Sequence, residues 1–476
     1  MKNLQIPEKG REPSDILKEL EERRGADIHW KDGRTWSLVY YMNEEHQDLL
    51  QKAYTTYFSE NYLNAFAFPS LKQMESEILS MVAKMLNKPD AVGTLSSGGT
   101  ESIILAMATY RDWARKKNKG NHGSEILATA TVHPAFEKAA HLLGLKLARV
   151  PVNENAEIDV NALSRMISQK TLVVVVGAPS YPYGIVDPVE EVAKVTLAHK
   201  LPLHVDACVG GFILPWAEKL GYWTTPWDFR VPGVTSISLD IHKFGFSAKG
   251  ASLIMYRSME YLRNQFFIST EFRGGVFVSP TILGTRPGGA IAAAWATIQH
   301  LGQEGYIENT RKLIEGKKRL QAFFESLPEF ELIGEPKLNL LAYRTKGNKP
   351  DIFVIADFLE DRGWLVDRQQ LPACIHLTVL PSNLPVIDNY TQDVRDALEF
   401  ALANPKAEAK GNAAMYGMMA RIPFRGMVEK NLIKLFEKLY QPAVEEEPAK
   451  LSNDSKWLGR LNRLLARSGR LFSGRV

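Results

Sequence analysis

Four short stretches of this 476-residue chain carry side chains that could do chemistry together. Ser236-Ile-Ser-Leu-Asp-Ile-His-Lys-Phe-Gly-Phe246 alternates small polar with branched apolar residues, as a strand with a buried face does. It then delivers His242 and Lys243 just before Gly245. Leu203-His-Val-Asp206 is a second strand-like run and ends on a carboxylate, and Glu125-Ile-Leu-Ala-Thr129 is a third, followed by His133. Ser96-Ser-Gly-Gly-Thr-Glu-Ser102 falls between a short apolar stretch and the helical run Ile103–Lys116. Successive backbone N–H groups and a helix N-terminus would there face one point, a nest suited to phosphate.

A lysine held at a strand end in partly apolar surroundings can lose its proton, and the neutral amine attacks carbonyls. One carbonyl that fits is the aldehyde of pyridoxal phosphate, whose further needs are a phosphate cradle and an acid facing the ring nitrogen. The glycine-rich stretch offers the cradle, Asp206 the acid and His133 a flat ring to stack. Taken singly, each has an ordinary reading: a solvated lysine, a capping aspartate, a structural histidine, a turn before a helix. The glycine-rich stretch also lacks the Gly-Lys-Ser/Thr ending of a nucleoside-triphosphate loop. Together, all fall at strand ends, where an open α/β sheet gathers its ligands.

The elements that must position them follow from hydrophobic periodicity. Up to about Leu86 the chain reads as polar extension, a helix over Glu44–Phe58, a loop and a second helix over Leu71–Leu86. From Thr94 apolar strands alternate with amphipathic helices, including Pro134–Leu143, Val160–Ser168 and Pro188–His199, which predicts an α/β fold with a mostly parallel sheet covered on both faces. From Gly305 a charged helix (Tyr306–Ser326) leads into short strands and a helix over Ile352–Arg362, as in a smaller α+β domain. The expected division is an N-terminal arm (1–90), a cofactor-binding domain (91–304), a small C-terminal domain (305–440) and an acidic linker with a basic tail (441–476).

At 45% hydrophobic and 24% charged residues the chain has the composition of a soluble globular protein. A net charge of +4 argues against nucleic acid as the main partner. Cys208 and Cys374, the only cysteines, are too far apart for a metal or disulfide framework, so no metal site and a reducing, cytoplasmic compartment are expected. The charged N-terminus has no signal-peptide run, and no window is apolar for the roughly 18 residues of a membrane span.

The order Ser-Gly-Gly-Thr-Glu-Ser, His-Val-Asp-Ala-Cys-Val-Gly-Gly-Phe, Val-Thr-Ser-Ile-Ser-Leu-Asp-Ile-His-Lys-Phe-Gly and Ser-Pro-Thr-Ile-Leu-Gly-Thr-Arg-Pro-Gly-Gly resembles the sphingosine-1-phosphate lyases. These are pyridoxal-phosphate enzymes of the aspartate-aminotransferase fold (fold type I), near the group II decarboxylases. The resemblance runs from about Tyr40 to Tyr440. It implies that Lys243 holds pyridoxal 5'-phosphate as a Schiff base, Asp206 pairs with the ring nitrogen and His133 stacks on the ring. Gly99, Thr100 and His242 would bind the cofactor phosphate, and Thr285 would reach the neighbouring subunit's site across a homodimer.

The implied reaction cleaves the C2–C3 bond of a phosphorylated 2-amino-3-hydroxy lipid to a long-chain aldehyde and phosphoethanolamine. Tyr181, in Pro179-Ser-Tyr-Pro-Tyr-Gly184, and Tyr416, in Ala414-Met-Tyr-Gly-Met418, match the family's acid/base positions. The resemblance assigns the substrate phosphate to Lys249, Tyr40 and a histidine of the arm. That histidine is replaced: the family's Asn-Pro-Leu-His reads here Asn61-Tyr-Leu-Asn64, and Asn64 can donate a hydrogen bond but carries no charge. An amino-acid decarboxylase of group II is the alternative activity.

The tail lies outside the resemblance. Trp457, Leu458, Leu461, Leu464 and Leu465 fall at helical spacing, and residues 451–476 hold six Lys and Arg against Asp454. Such a basic amphipathic helix either docks on the protein or rests on an anionic membrane surface, the second giving peripheral membrane contact.

Overall fold

The computed structural model describes residues 6–118, 123–410 and 425–440. Helices α1 (Pro13–Arg24), α2 (Glu44–Thr56) and α3 (Pro69–Met85) precede strand β1 (Val92–Ser96). There follow α4 (Gly99–Asn118), β2 (Glu125–Thr129), α5 (Ala135–Leu143), β3 (Lys146–Val150), α6 (Val160–Met166), β4 (Thr171–Gly177), α7 (Val189–Ala198), β5 (Leu203–Asp206), α8 (Leu214–Lys219), β6 (Val234–Asp240) and β7 (Ser252–Tyr256). After α9 (Met259–Leu262), a hairpin of β8 (Phe267–Ser269) and β9 (Phe277–Ser279) leads to α10 (Gly288–Glu325). The remaining elements are β10 (Phe330–Leu332), β11 (Leu340–Thr345), α11 (Ile352–Asp361), β12 (Asp367–Gln370), β13 (Ala373–Thr378), α12 (Ile387–Ala403) and α13 (Arg425–Leu439).

Seven strands form one sheet in the order β1-β7-β6-β5-β4-β2-β3. Only β7 runs against its neighbours β1 and β6, so the sheet is mostly parallel, as the alternating pattern predicts. β4 carries Leu172-Val-Val-Val-Val176 and is buried along its whole length, as suits a strand covered on both faces. Ile103, Met107 and Tyr110 of α4 and Phe136 of α5 pack in one core with Ile126 and Val173 of the sheet. Each such side chain taken from water contributes roughly 1.5–3 kcal/mol. At the outer edge, β3 keeps Lys146 and Arg149 exposed, charges that discourage a further strand from pairing.

Because β1, β6, β5, β4 and β2 are mutually parallel, their C-terminal ends share one side of the sheet. Register brings Ser96, Ser252 and Asp240 level with one another, and Gly177, Asp206 and Ser238 likewise. One expectation needs correction. The charged helix starting at Tyr306 is the second half of α10, which begins at Gly288 and departs from helical geometry only at Gly302 (φ 52°, ψ −172°). Ala290, Ala292, Ala293 and Ala294 are good helix formers and are buried, so the segment shows no polar face to read in the sequence.

β10, β11, β13 and β12 form a second, four-stranded sheet. The described residues divide into two compact units. The larger comprises Trp36–Tyr343 with His376–Ile387; the smaller is drawn from segments before Trp36, between Arg344 and Ile375, and from Asp388 onward. Within the smaller unit, Trp364 is buried against Tyr390, its ring centroid 4.9 Å away, and donates to Asp393 at 2.8 Å. No helix of the described residues is long and apolar enough to cross a membrane.

Candidate active site

The larger unit holds the cluster. Strand β6 alternates so that Ser236, Ser238 and Asp240 share one face, and the chain then turns through His242 and Lys243. The turn is tightly held. A side chain at Gly245 would meet the Ile241 carbonyl oxygen at 2.4 Å, so only glycine fits there. Phe246, buried, adopts φ 58°, a left-handed conformation that costs on the order of 1 kcal/mol and persists only where the surroundings insist on it. They do so here, since His46 of α2 donates to the Phe246 carbonyl at 2.8 Å and the Tyr306 hydroxyl donates to that of Gly245 at 3.1 Å.

Lys243 Nζ lies 2.8 Å from Asp240 Oδ2, with 24% of the lysine side chain exposed and 1% of the aspartate's. Burial alone would depress the ammonium, but Asp240 outweighs it and pushes the Lys243 pKa above its usual value. Burial would likewise raise the Asp240 carboxyl, yet Lys243 and His242 beside it hold it below the usual carboxylate range. The expected loss of the lysine proton to apolar surroundings is therefore corrected by a buried counter-ion. Asp240 was overlooked as a site residue although it stands three positions before Lys243, on the polar face of its strand. Among the described residues its buried Oδ1 has no hydrogen-bond partner.

His242 Nδ1 donates to the Ala251 carbonyl at 2.7 Å, and its Nε2 faces Asp240 at 3.9 Å. Burial first, then Lys249 and Lys243, hold its imidazole below the ordinary value against the pull of Asp240. Lys249 Nζ lies 4.9 Å from the Tyr40 ring centroid and 3.4 Å from the His242 carbonyl. Burial, then the charge of Lys243, lowers it to about 8. Tyr40 packs edge-on to Phe244 at 5.0 Å, and desolvation raises its hydroxyl to about 12.

Gly99 opens α4 against this floor: an added Cβ would meet Cys208 Sγ at 2.8 Å and Asp240 Oδ2 at 2.9 Å. Thr100 follows, exposed. Glu101, unremarked in the sequence, accepts from the Ser97 N–H and hydroxyl, each at 2.7 Å, and from the Ile282 N–H at 2.9 Å, tying the nest to the loop before Thr285. Asp206, at the end of β5, accepts from the Cys208 N–H at 3.1 Å and the Ser238 hydroxyl at 3.3 Å. His133 follows β2, its Nδ1 accepting from the Ala135 N–H at 3.2 Å. Desolvation lowers its pKa, with Asp206, Lys243 and Asp240 all close enough to influence it.

The structure thus brings Lys243, His242, Lys249, Tyr40, Gly99, Asp206 and His133 into one neighbourhood. Tyr181 sits on the turn after β4, its ring 4.4 Å from that of His376. Thr285 and Asn64 belong to a second locality. The Thr285 hydroxyl accepts from Asn61 Nδ2 at 3.3 Å, while Asn64 Oδ1 is engaged with its own loop, accepting from the Phe66 and Ala67 N–H groups at 2.9 and 3.3 Å. Tyr416 and the basic tail lie outside the described residues.

The donors suit pyridoxal 5'-phosphate on structural grounds. An amine, a buried carboxylate at the neighbouring strand end and a helix N-terminus beside His242 converge where Gly98 would leave an added Cβ 3.7 Å from the nearest atom, His242 Cε1.

Comparison with known proteins agrees. Residues 1–346 match the pyridoxal-dependent decarboxylase conserved domain. Sphingosine-1-phosphate lyase 1 of Rattus norvegicus is 38% identical over 439 residues, which span 91% of this chain and 77% of the rat protein. The structure of a sphingosine-1-phosphate lyase from Burkholderia pseudomallei superposes with a TM-score of 0.84 at 32% identity, covering 93% of this chain and 98% of that one. Glutamate decarboxylase of Lactobacillus brevis, at 19% identity and a TM-score of 0.75 over 86% of this chain and 96% of its own, shares the fold. With a decarboxylase-type domain, this architecture and such identity along nearly the whole chain, the protein belongs to the sphingosine-1-phosphate lyase family.

Proposed function

We propose that the protein is a pyridoxal-phosphate-dependent carbon–carbon lyase that cleaves phosphorylated sphingoid bases into a long-chain aldehyde and phosphoethanolamine. The observation that carries this is the identity to the rat lyase along 91% of the chain. Pyridoxal 5'-phosphate, when bound, supplies an aldehyde that captures amines and a ring that accepts the electron pair of the breaking bond. In this reading Lys243 would hold the cofactor covalently through its amine. Asp206 would pair with the ring nitrogen, His133 would contact the ring, and Gly99, Thr100 and His242 would hold the cofactor phosphate.

Tyr181 and Tyr416 move the protons, one leaving the C3 hydroxyl as the bond breaks and one arriving at C2 afterwards. Lys249, Tyr40 and Asn64 receive the substrate phosphate. Lys249 suits the task because a group lowered to about 8 is still largely charged at neutral pH, and a phosphate dianion beside it would strengthen that charge.

Thr285 completes the site of a second copy in a homodimer. Support comes from the hairpin preceding it, where Phe267, Ile268, Val276 and Val278 each stand exposed, apolar surface of the kind that a partner covers. A cytoplasmic location, with the tail resting on anionic membrane, fits a substrate that resides in a bilayer.

Incubation with a phosphorylated sphingoid base, and separately with a panel of amino acids, tests the reaction. Aldehyde and phosphoethanolamine from the lipid, absent in Lys243→Ala, are expected. Carbon dioxide from an amino acid without lipid cleavage would establish the decarboxylase instead.

A further inference from the structure

A continuous polar chain runs behind Asp206, through the face of the sheet covered by α4. Ser238 Oγ lies 3.3 Å from Asp206 Oδ1 and 3.2 Å from His204 Nε2. His204 Nδ1 lies 2.7 Å from Ser236 Oγ, which is 2.5 Å from the Tyr110 hydroxyl, itself 2.6 Å from Thr235 Oγ1. His204, Ser236, Ser238 and Tyr110 are wholly buried. The period of two along a strand puts His204 and Asp206 on one face of β5, and the pairing of His204 with Ser236 and of Asp206 with Ser238 sets the hydroxyls opposite them. Apolar side chains would fill this interior without the burden of satisfying so many donors and acceptors, so the polarity calls for a reason.

Proton counting supplies one. An ionised carboxylate only accepts, so the single Ser238 proton points to Asp206. Ser238 then accepts from His204, which must carry its hydrogen on Nε2. Nδ1, left as an acceptor, takes the Ser236 proton, and the one Tyr110 proton is shared between Ser236 and Thr235, whose own hydroxyl donates to the Leu203 carbonyl at 2.9 Å. The dipoles of Ser236, His204 and Ser238 are aimed at Asp206. In the reversed chain Ser238 would give its proton to His204, and Asp206 Oδ1 would keep only the Cys208 N–H as donor. Burial, which lowers His204 to about 4, keeps the ring neutral and fit for this relay.

We propose that His204, acting through Ser238, is a positioning residue that holds Asp206 as an oriented carboxylate against the cofactor ring nitrogen. This rests on the reading of Asp206 as the ring's partner. The test uses full-length Asp206→Asn, Ser238→Ala, Ser238→Thr, His204→Gln and Tyr110→Phe. Two quantities are read in each: the dissociation constant of pyridoxal 5'-phosphate by equilibrium dialysis, and the pH midpoint of the bound cofactor's absorption band.

Ser238→Ala should weaken cofactor binding about tenfold and displace the midpoint, as loss of a hydrogen bond to a charge does. Tyr110→Phe, at the far end and nearly isosteric, should weaken it about two- to threefold, and Ser238→Thr should restore the parent values. Adding Ser238→Ala to Asp206→Asn should bring no further loss. If Asp206→Asn alters both readouts while Ser238→Ala, His204→Gln and Tyr110→Phe alter neither, or if the double variant is additive, the relay is overturned. If Asp206→Asn itself changes nothing, the underlying reading of Asp206 fails instead.

Discussion

Replacing Asp240 with asparagine removes the charge beside Lys243 and keeps the shape. At 2.8 Å the pair attracts by about 6 kcal/mol at an effective dielectric of about 20, a ceiling of about 4 pK units for Lys243 at about 1.4 kcal/mol per unit. With 24% of the lysine side chain exposed, solvent screens part of this, and a fall of about two units is the reasoned expectation. Burial would then favour the neutral amine against only the weaker influence of Tyr40 and Cys208. The assay is the rate at which cofactor-free protein captures pyridoxal phosphate covalently, quenched with borohydride and quantified on the Lys243 peptide between pH 6 and pH 10. The parent rate should climb about tenfold per pH unit because only the neutral amine attacks, and the Asp240→Asn profile should lie about two units lower in pH. Superimposable profiles, or a displacement to higher pH, would show that Asp240 does not hold the amine charged. The sign for stability follows. Lys243, raised when folded, contributes below its unfolded value near 10.4, and that contribution is lost as pH rises through the folded value. Asp240, depressed when folded, contributes above about 3.9 and loses its part as pH falls, so Asp240→Asn should melt earlier at neutral pH.

If Lys249 holds the substrate phosphate, the Michaelis constant for a phosphorylated sphingoid base should rise as pH passes about 8; Lys249→Arg should flatten that rise, and a flat parent profile would remove the lysine from the head-group site. Asn64→His should lower the same constant, most at low salt and at a pH where the imidazole is charged, and unchanged kinetics would mean that position 64 does not face the phosphate. Mixing Lys243→Ala with a disabling change at the Gly284–Thr285 turn should recover about a quarter of parental activity if chains assort randomly, since each heterodimer regains one intact site; an active monomer on sedimentation would end the shared-site idea. Removing the residues after Pro448 should spare turnover of a short-chain soluble substrate while reducing binding to anionic vesicles, and equal vesicle binding would rule out the membrane role.

Local pattern made much of the site legible. Alternation of two along β6 announced a strand with Lys243 just beyond its end, and Leu203–Asp206 ended where its carboxylate was needed, because strand periodicity is written in consecutive residues. Chain order alone implied a sheet whose strand ends meet, and the structure gathers Lys243, Asp206, His133 and Gly99 there. What tertiary structure decided was the company these residues keep. Only folding shows that Asp240 turns its carboxylate onto Lys243 and keeps the amine charged, because neighbours in sequence do not reveal which of them share a buried space. The insertion of antiparallel β7 between β1 and β6, which sets Ser96 and Asp240 level, depends on pairing across more than a hundred residues. The alignment of His204 with Ser236 and of Asp206 with Ser238 likewise depends on register between β5 and β6, and a shift by one residue would turn those side chains to the opposite face. Residue types and their spacing named the groups that could do the chemistry; register and burial decided their protonation, because charge in a protein interior depends on partners that only the fold supplies.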